Sequence, residues 1–355
     1  MKKKMKRAAS LLLALVLALA LAACSSGETQ TEAGTEGAGT QGQTGEQSGG
    51  DETQGGDILY KIGVSQLTEH PALDASYEGF VAALADAGYV DGENITIDYN
   101  NAQGDAATCT TIAEKLVNGQ CDLILAIATP AAQAAAATTD EIPILGTAIT
   151  DYEVAGLVES SEVPGGNVSG GSDMNPVEDQ IDLLTQLLPE AQTVAVMYCS
   201  SEDNSIVQAG LAEEALEAKG LEWVEYTVSD STMIQSVAES MIGKVDTVYI
   251  PTDNLLAEGM AAVSMVTNEN NLPCIVGEAG MVENGGLATY GLDYYDLGYK
   301  TGEMAVQVLE GADISTMPIT YIPVEECTLT VNTTAAEQLG ITIPEDILSQ
   351  AEVVE

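Results

Sequence analysis

Short hydrophobic runs alternate with longer segments of helical spacing along most of this chain. The clearest run, residues 121–130, reads CDLILAIATP, and residues 246–254, DTVYIPTDN, repeat the same design in the second half. Runs this short and this rich in Leu, Ile and Val are typical of strands that are buried on both faces, and the polar turn after each one opens a helix. Because ligands bind at the carboxyl ends of parallel strands, the two turns predict two lobes that face each other across a cleft.

The same alternation extends over residues 58–276 and predicts a fold of the α/β class. Roughly 300 ordered residues exceed what one such core accommodates, so we expect two Rossmann-like lobes with mostly parallel sheets. Besides the two runs above, strands are predicted at residues 58–64, 95–99, 144–147, 193–198, 222–228 and 274–276. Helices are predicted at residues 75–87, 105–117, 176–188, 205–219, 233–242 and 255–270.

Two features indicate where the chain passes between the lobes. Pro164-Gly165-Gly166 interrupts the pattern, which predicts the first crossing there. Several segments near the C-terminus are predicted to return to the earlier lobes, and the points where the chain crosses between lobes would form a hinge. These segments are 288–291, 296–310, 319–324 and 333–350. The predicted lobes are therefore lobe I at residues 57–166 plus 291–318, and lobe II at residues 167–290 plus 319–355.

The N-terminus has the pattern of a secreted lipoprotein. Five basic residues within positions 2–7 precede an apolar run, which is typical of a signal peptide. Leu21-Ala22-Ala23-Cys24 resembles the bacterial lipobox, in which the cysteine becomes the lipidated first residue of the mature protein. The residues that follow are small, polar or acidic, so they cannot build a core. We predict a signal peptide at 1–23, and at 24–56 a lipidated cysteine with a disordered acidic tether. The protein would thus be extracytoplasmic, lipid-anchored to the outer face of the bacterial cell membrane.

The charge balance restricts the possible partners. After the predicted leader the chain holds five lysines, no arginine and 55 acidic residues, which excludes nucleic acid on electrostatic grounds. Without arginine, no bidentate guanidinium can hold a ligand carboxylate, so an anionic group would need backbone N–H donors, hydroxyls or a lysine. A cationic group would easily find a carboxylate.

Residues suited to catalysis or metal binding are sparse. Five cysteines remain after Cys24, odd in number and widely spaced, so we expect buried free thiols rather than a disulfide framework. The sequence has no CxxC or Cys/His cluster that would indicate a metal site, and no GxSxG elbow that would indicate a hydrolase. We therefore expect no enzyme activity, no metal and no cofactor.

Polar residues at the predicted strand ends are the candidate ligand contacts of the first lobe. Thr129, Thr147 and Thr150 could bind a carboxylate through their hydroxyls and through the N–H groups of a following helix. The alternative for Thr129 is a simple N-cap. Gln66 and His70 follow the first strand, although an isolated histidine is more often a structural hydrogen-bond partner. Hydroxyls would then replace the missing arginine.

The second lobe offers carboxylates at the corresponding turns. Asp253 would suit an ammonium group or a hydroxyl donor, and its alternative role is to cap the next helix. Glu278 follows another strand, with a solvated loop acid as the alternative. These two carboxylates are the predicted contacts for the cationic end of a ligand.

Four further residues complete the candidate set. Asn204 and Ser205 open a predicted helix in the second lobe. Tyr198 lies at a strand end and Tyr294 near the hinge, where their rings could sandwich a planar ligand. A tyrosine with a packed ring and a hydroxyl at the surface is the alternative for each.

Five sequence runs carry a resemblance to a known family. They are QLTEHPALD (66–74), ATPAAQ (128–133), PGGNVSG (164–170), PTDN (251–254) and YGLDYYDLG (290–298). In this order they resemble the ABC-transporter solute-binding lipoproteins of the tryptophan/tyrosine type, over residues 58–351. The resemblance implies a type 1 periplasmic-binding fold with a three-crossing hinge and no catalysis. It also implies a monomer that delivers an aromatic or apolar amino acid to ABC permease subunits in the membrane. A same-fold binding protein for a nucleoside or sugar, and a receptor for a sensor system, remain alternatives.

Overall fold

The computed structural model describes residues 59–355, which form two sheets with helices packed against them. The predicted signal peptide, Cys24 and the tether lie outside the described residues, as does the start of the first predicted strand. None of the helices in the described part of the chain has both the length and the apolarity that a bilayer crossing requires.

Strands and helices alternate as the hydrophobic pattern predicts. In chain order the elements are β1 (Tyr60–Gln66), α1 (Pro71–Asp86), β2 (Ile95–Asn101), α2 (Ala106–Asn118), β3 (Leu123–Ile127), α3 (Thr129–Thr138), β4 (Ile144–Ile149), β5 (Val168–Ser172), α4 (Val177–Leu187), β6 (Thr193–Cys199), α5 (Asp203–Ala218), β7 (Glu222–Val228), α6 (Ile234–Met241), β8 (Thr247–Ile250), α7 (Asn254–Glu269), β9 (Cys274–Val276), α8 (Ala279–Glu283), β10 (Ala288–Gly291), α9 (Tyr294–Leu309), β11 (Thr320–Tyr321), β12 (Thr328–Asn332), α10 (Thr333–Leu339), α11 (Glu345–Leu348) and β13 (Glu352–Val354).

Each sheet forms the centre of one lobe. The first sheet has the order β11-β5-β4-β3-β1-β2 and is parallel throughout. The second has the order β13-β12-β10-β9-β8-β6-β7, in which only the β10–β12 pair is antiparallel. Strands β3 and β8 are buried along their whole length, as the runs CDLILAIATP and DTVYIPTDN predict. The expected α/β class with two mostly parallel lobes is therefore confirmed.

The chain passes between the lobes three times, and these crossings form the hinge. Residues 173–175 lead from β5 in the first sheet to α4 in the second lobe. Residues 292–293 lead from β10 back to α9, which packs on α1, and residues 322–327 lead from β11 to β12. The expectation of three crossings agrees with this path.

The predicted position of the first crossing, at residues 164–166, is wrong. Strand β5 follows those residues and still pairs with β4 in the first sheet, and β11 also belongs to that sheet rather than to the second lobe. The sequence of β5, VSGGS, gives no apolar signal because close neighbours exclude larger side chains. A Cβ atom on Gly170 would lie 2.0 Å from the carbonyl oxygen of Gly146. Lobe I therefore extends to Ser172 and includes residues 294–321.

Helices α1 and α9 are in backbone contact within the first lobe. A Cβ atom on Gly298 would lie 1.9 Å from the carbonyl oxygen of Ser76, and one on Gly79 would lie 2.0 Å from that of Tyr295. Only glycine permits so close an approach. The contact fixes the N-terminus of α9, which follows a crossing, against α1, whose N-terminus carries His70.

The five cysteines within residues 59–355 are free thiols. Cys109, Cys121, Cys199 and Cys274 are buried, and Cys327 is partly exposed. Burial raises the pKa of each thiol, so all five remain protonated at neutral pH. The prediction of free rather than paired cysteines is confirmed.

Candidate functional site

The carboxyl ends of the two sheets meet across a closed cleft. Contacts join the lobes directly: the Gln208 Nε2 amide donates to Thr150 Oγ1 at 3.1 Å, and Thr68 Oγ1 donates to Glu258 Oε2 at 2.9 Å. Gln133 Nε2 likewise reaches Asp203 Oδ2 at 2.9 Å. Because these bonds can form only when the lobes have come together, the structure represents the closed arrangement.

A group of buried polar residues lines this closed cleft and comes from both lobes. The first lobe and the hinge contribute Ser65, Gln66, His70, Thr129, Thr147, Thr150, Asp173 and Tyr294, and the second lobe with its adjoining crossing contributes Asn175, Asn204, Ser205, Gln208, Thr252, Asp253 and Glu278.

Many polar atoms in this group have no hydrogen-bond partner among the described residues. They are Ser65 Oγ, Gln66 Oε1, His70 Nδ1, Thr129 Oγ1, Thr147 Oγ1, Asn204 Oδ1, Gln208 Oε1 and both carboxylate oxygens of Glu278. A buried polar group without a partner costs roughly 1–3 kcal/mol, so native proteins rarely keep several in one place. Their concentration between the lobes indicates the binding site of a polar ligand.

The hydroxyls of the first lobe lie at adjacent strand ends. In the sheet register Gln66 aligns with Ile127, and Ile127 aligns with Thr147. Thr129 is the first residue of α3 rather than its cap, so the capping alternative does not hold. In the first turn of α3 only the N–H of Thr129 has no acceptor among the described residues, because Pro130 has no N–H and the N–H groups of Ala131 and Ala132 donate to Ala128 O. The buried hydroxyls and this one N–H group lie at neighbouring strand ends, which suits an anionic group.

Backbone strain accompanies this anion site. Ala128 has φ 81° and Ala148 has φ 56°, in the left-handed region that non-glycine residues rarely adopt. Ala128 immediately precedes the candidate Thr129, and Ala148 immediately follows the candidate Thr147. Such strain typically concentrates where a fold must position functional groups.

Asp253, predicted as a ligand contact, is a helix cap. Its Oδ1 accepts from Leu256 N at 2.8 Å, and its Oδ2 accepts from Cys199 N at 2.5 Å. Burial and the neighbouring Glu202 raise its pKa to about 7. Asp253 therefore caps α7, as its alternative role predicts, and its contact with a ligand stays a prediction because each carboxylate oxygen can accept a second hydrogen bond.

Glu278 is a buried acid of the second lobe, and neither of its side-chain oxygens has a hydrogen-bond partner among the described residues. It is 2% exposed, so the solvated-acid alternative does not hold. It precedes α8 but makes no capping bond with its side chain. Burial, followed by the charges of Asp173 and Asp253, raises its pKa to about 8. Glu278 is thus a buried acid of the cleft whose two oxygens accept no hydrogen bond from the described residues.

His70 lies across the cleft from the second lobe. Its Nε2 is 3.4 Å from Asn254 Oδ1, and its Nδ1 is 3.7 Å from Glu278 Oε1. Burial lowers the pKa of His70 to about 4, an effect that the bond to Asn254 partly opposes. The imidazole is therefore neutral at physiological pH and does not supply a cation to the site.

The remaining predicted residues divide into two groups. Gln66, Thr150, Asn204, Ser205 and Tyr294 lie in the cleft network. Tyr198 does not: its ring packs with the core under α4 and α5, and its hydroxyl donates to Glu225 Oε1 at 2.5 Å. The structure therefore separates Tyr198 from the other candidates.

Three central residues escaped the sequence reasoning. Asp173 accepts from Thr150 Oγ1 and from the Tyr294 hydroxyl, both at 3.0 Å, and burial raises its pKa to about 6. The sequence does not single it out, because the predicted first crossing at residues 164–166 precedes β5. Asn175 joins two crossings by donating to Thr252 Oγ1 and accepting from the N–H of Leu292. Gln208 lies one helical turn after Asn204, a spacing that could have revealed it.

Sequence and structure comparisons identify close relatives. The profile of the ABC transporter substrate binding protein family matches residues 61–355. A protein named tyrosine-binding protein, from Clostridioides difficile strain R20291, is 46% identical over 275 residues, which cover 78% of this chain and 80% of that protein.

Two solved structures show the same fold. The ABC domain from Streptococcus pneumoniae in complex with L-Trp is 39% identical and has a TM-score of 0.80, with 83% of this chain and 99% of that chain covered. The ligand-free, open structure of a substrate-binding protein with adhesive properties from Clostridium difficile is 45% identical but has a TM-score of only 0.65, with 84% and 99% covered. These similarities confirm the type 1 periplasmic-binding fold. The TM-score over the whole chain is higher with the L-Trp complex than with the open protein, in agreement with the contacts across the cleft.

Proposed function

This chain belongs to the family of ABC transporter substrate-binding proteins, and from that premise we propose that it binds an aromatic amino acid, tyrosine or tryptophan, between its lobes. The concentration of unpaired buried polar atoms in the closed cleft carries the proposal. Hydroxyls lie on the side of the first lobe and a free carboxylate on the side of the second, an arrangement that complements an amino acid zwitterion. The tyrosine-binding relative and the L-Trp complex support this ligand class.

The carboxylate of the ligand would bind to the first lobe. Ser65, Thr129 and Thr147 each have a buried hydroxyl without a partner among the described residues, and the N–H of Thr129 at the N-terminus of α3 adds one donor with a favourable dipole. Neutral donors suffice here because a charged acceptor strengthens each hydrogen bond. Gln66, His70, Thr150, Asn204, Ser205 and Tyr294 would line the remainder of the site.

In the cell the protein would act as an extracytoplasmic lipoprotein of an importer. The leader and Cys24 in the sequence support this role, and the family membership supports delivery of the ligand to ABC permease subunits by a monomer. We expect a Cys24→Ser variant to lose fatty-acid label when cells are grown with a labelled lipid precursor. Incorporation of label equal to that of the wild type would contradict the anchor.

A thermal-shift screen of the purified protein tests the ligand class. The panel contains the twenty amino acids, nucleosides and simple sugars, each at the highest soluble concentration. A ligand at 100 times its Kd stabilises the native state by about 2.7 kcal/mol, which corresponds to a shift of several degrees. We expect L-tyrosine, L-tryptophan or L-phenylalanine to give this shift. If only a nucleoside or a sugar raises the midpoint, the proposed ligand class is wrong while the fold is unaffected.

A further inference from the structure

The cleft concentrates buried acids without a basic partner. Asp173, Glu202, Asp253 and Glu278 are all less than 9% exposed. The lysines of the chain are engaged or exposed elsewhere: Lys61 donates to Gly119 O, Lys115 pairs with Asp98, Lys219 with Asp182 and Lys300 with Glu326, while Lys244 is exposed. The neutral His70 adds no charge. Within residues 59–355 the site therefore contains negative groups and no cation to offset them.

Glu278 is the acid least compensated within this group. Asp173 accepts two side-chain hydroxyls, Asp253 accepts two backbone N–H groups, and Glu202 accepts from Asn254 and from the N–H of Leu255. Glu278 has none of these donors.

The groups that face Glu278 include no positive charge. They are His70 from the start of α1, Asp173 from the first crossing, Asp253 from the start of α7, Glu283 from α8 and Tyr294 from the start of α9. Three of the five are acids, and the neutral imidazole and phenol add no positive charge. Burial together with like charges disfavours ionisation, so Glu278 retains its proton in the ligand-free protein at neutral pH.

Resting on the proposed function, we propose that Glu278 receives the amino group of the ligand and releases one proton to solvent when the ligand binds. The incoming ammonium is the positive charge that the site otherwise lacks, and an opposite charge at contact distance stabilises the carboxylate. The balance is simple: a protonated Glu278 and an ammonium ligand become a carboxylate–ammonium pair plus one free proton. Glu278 thereby selects ligands with a free amino group and couples their affinity to pH.

The coupling determines the direction of the pH dependence. Because binding releases a proton, the affinity rises with pH as long as the free protein holds that proton, which extends to about pH 8. Between pH 5.5 and 7.5 the Kd for L-tyrosine should fall roughly tenfold per pH unit. A desamino analogue, 3-(4-hydroxyphenyl)propionate, should bind at least tenfold more weakly than L-tyrosine at pH 7.5, since it cannot form the pair.

Isothermal titration calorimetry of the purified protein with L-tyrosine at pH 6.5 measures the proton directly. Titrations in phosphate and in imidazole, which both buffer at this pH but differ in ionisation enthalpy, give the number of protons released. We expect about one proton for the wild type and none for Glu278→Gln, whose affinity should also be independent of pH. Glu269→Gln is the matched control: the same change on an exposed acid at the end of α7, which is not among the groups that face Glu278, with proton release retained.

Each result decides the inference. Binding without proton release, or release that persists in Glu278→Gln, overturns it. If Glu278→Gln no longer binds L-tyrosine, infrared difference spectra on ligand binding decide, recorded for the wild type, Asp173→Asn and Asp253→Asn. Loss of a protonated-carboxyl band in all three proteins supports Glu278, and a spectrum without that loss in any of them overturns the inference. A failure of every amino acid to bind the wild type would instead contradict the proposed function.

Discussion

Gly298→Ala is expected to destabilise the protein by at least about 3 kcal/mol or to prevent its folding, although alanine normally favours a helix over glycine. The added Cβ would lie 1.9 Å from the carbonyl oxygen of Ser76 and 2.6 Å from its carbonyl carbon. Overpacking costs typically 1–3 kcal/mol where side chains can adjust, but here the neighbours are backbone atoms of α1. The two helices would have to separate, and the core beneath them would open. Thermal unfolding followed by circular dichroism measures the effect.

Gly210→Ala is the matched control for this change. Gly210 also lies within a long helix, α5, but a Cβ atom there would meet no atom within 4 Å. Without a clash, the ordinary helix propensity applies, and the substitution should stabilise the protein by roughly 0.5–1 kcal/mol. Midpoints that shift equally in the two variants would show that the close contact between α1 and α9 does not contribute as described.

Thr129→Val combined with Thr147→Val is expected to weaken the binding of L-tyrosine at least 100-fold. A hydrogen bond to a charged group contributes roughly 1.5–3 kcal/mol, and each 1.4 kcal/mol is tenfold in Kd. Valine keeps the shape of threonine but removes the donor. The free protein should not lose stability, because both hydroxyls are buried without partners among the described residues. Calorimetric titration and thermal unfolding of the double variant measure the two effects separately.

Thr247→Val distinguishes this loss from a general effect of removing a buried hydroxyl. Thr247 is fully buried at the first residue of β8, the end of the strand opposite the cleft, and its Oγ1 donates to Pro273 O at 2.9 Å. This variant should lose about 1 kcal/mol of stability and retain its affinity. A Kd for the double variant within threefold of the wild type would show that the first-lobe threonines do not hold the ligand.

The hydrophobic pattern predicted those parts of the fold in which burial alone selects the residues. Strands β3 and β8 are continuous apolar runs, and the sequence identified both together with the helices that follow them. Strand β5 was not identified because contact with neighbouring backbone selects glycine and serine there, and these residues give no apolar signal. The error propagated to function, since Asp173 follows β5 directly.

The sequence predicts where the residues of the candidate site lie better than it predicts the role of each residue. Glu278, Thr129 and Thr147 lie at strand ends that the pattern located correctly. Whether a carboxylate at such a turn binds ligand or caps a helix depends on which N–H groups the fold brings to it. For Asp253 one of the two donors, the N–H of Cys199, belongs to a strand 54 residues away in sequence. Tyr198 illustrates a similar ambiguity, because a strand end alone does not fix which face of the sheet a ring occupies.

The interleaved path of the chain constrains the order in which the lobes can be completed. The groove on α1 that receives α9, and the edge of the first sheet that receives β11, are both finished by residues 294–321. During synthesis from the N-terminus, the first lobe therefore remains incomplete until the central part of the second lobe has been made. Non-local contacts of this kind slow folding and leave apolar surface exposed meanwhile. The close fit between α1 and α9 thus makes completion of the first lobe in the nascent protein dependent on residues 294–321.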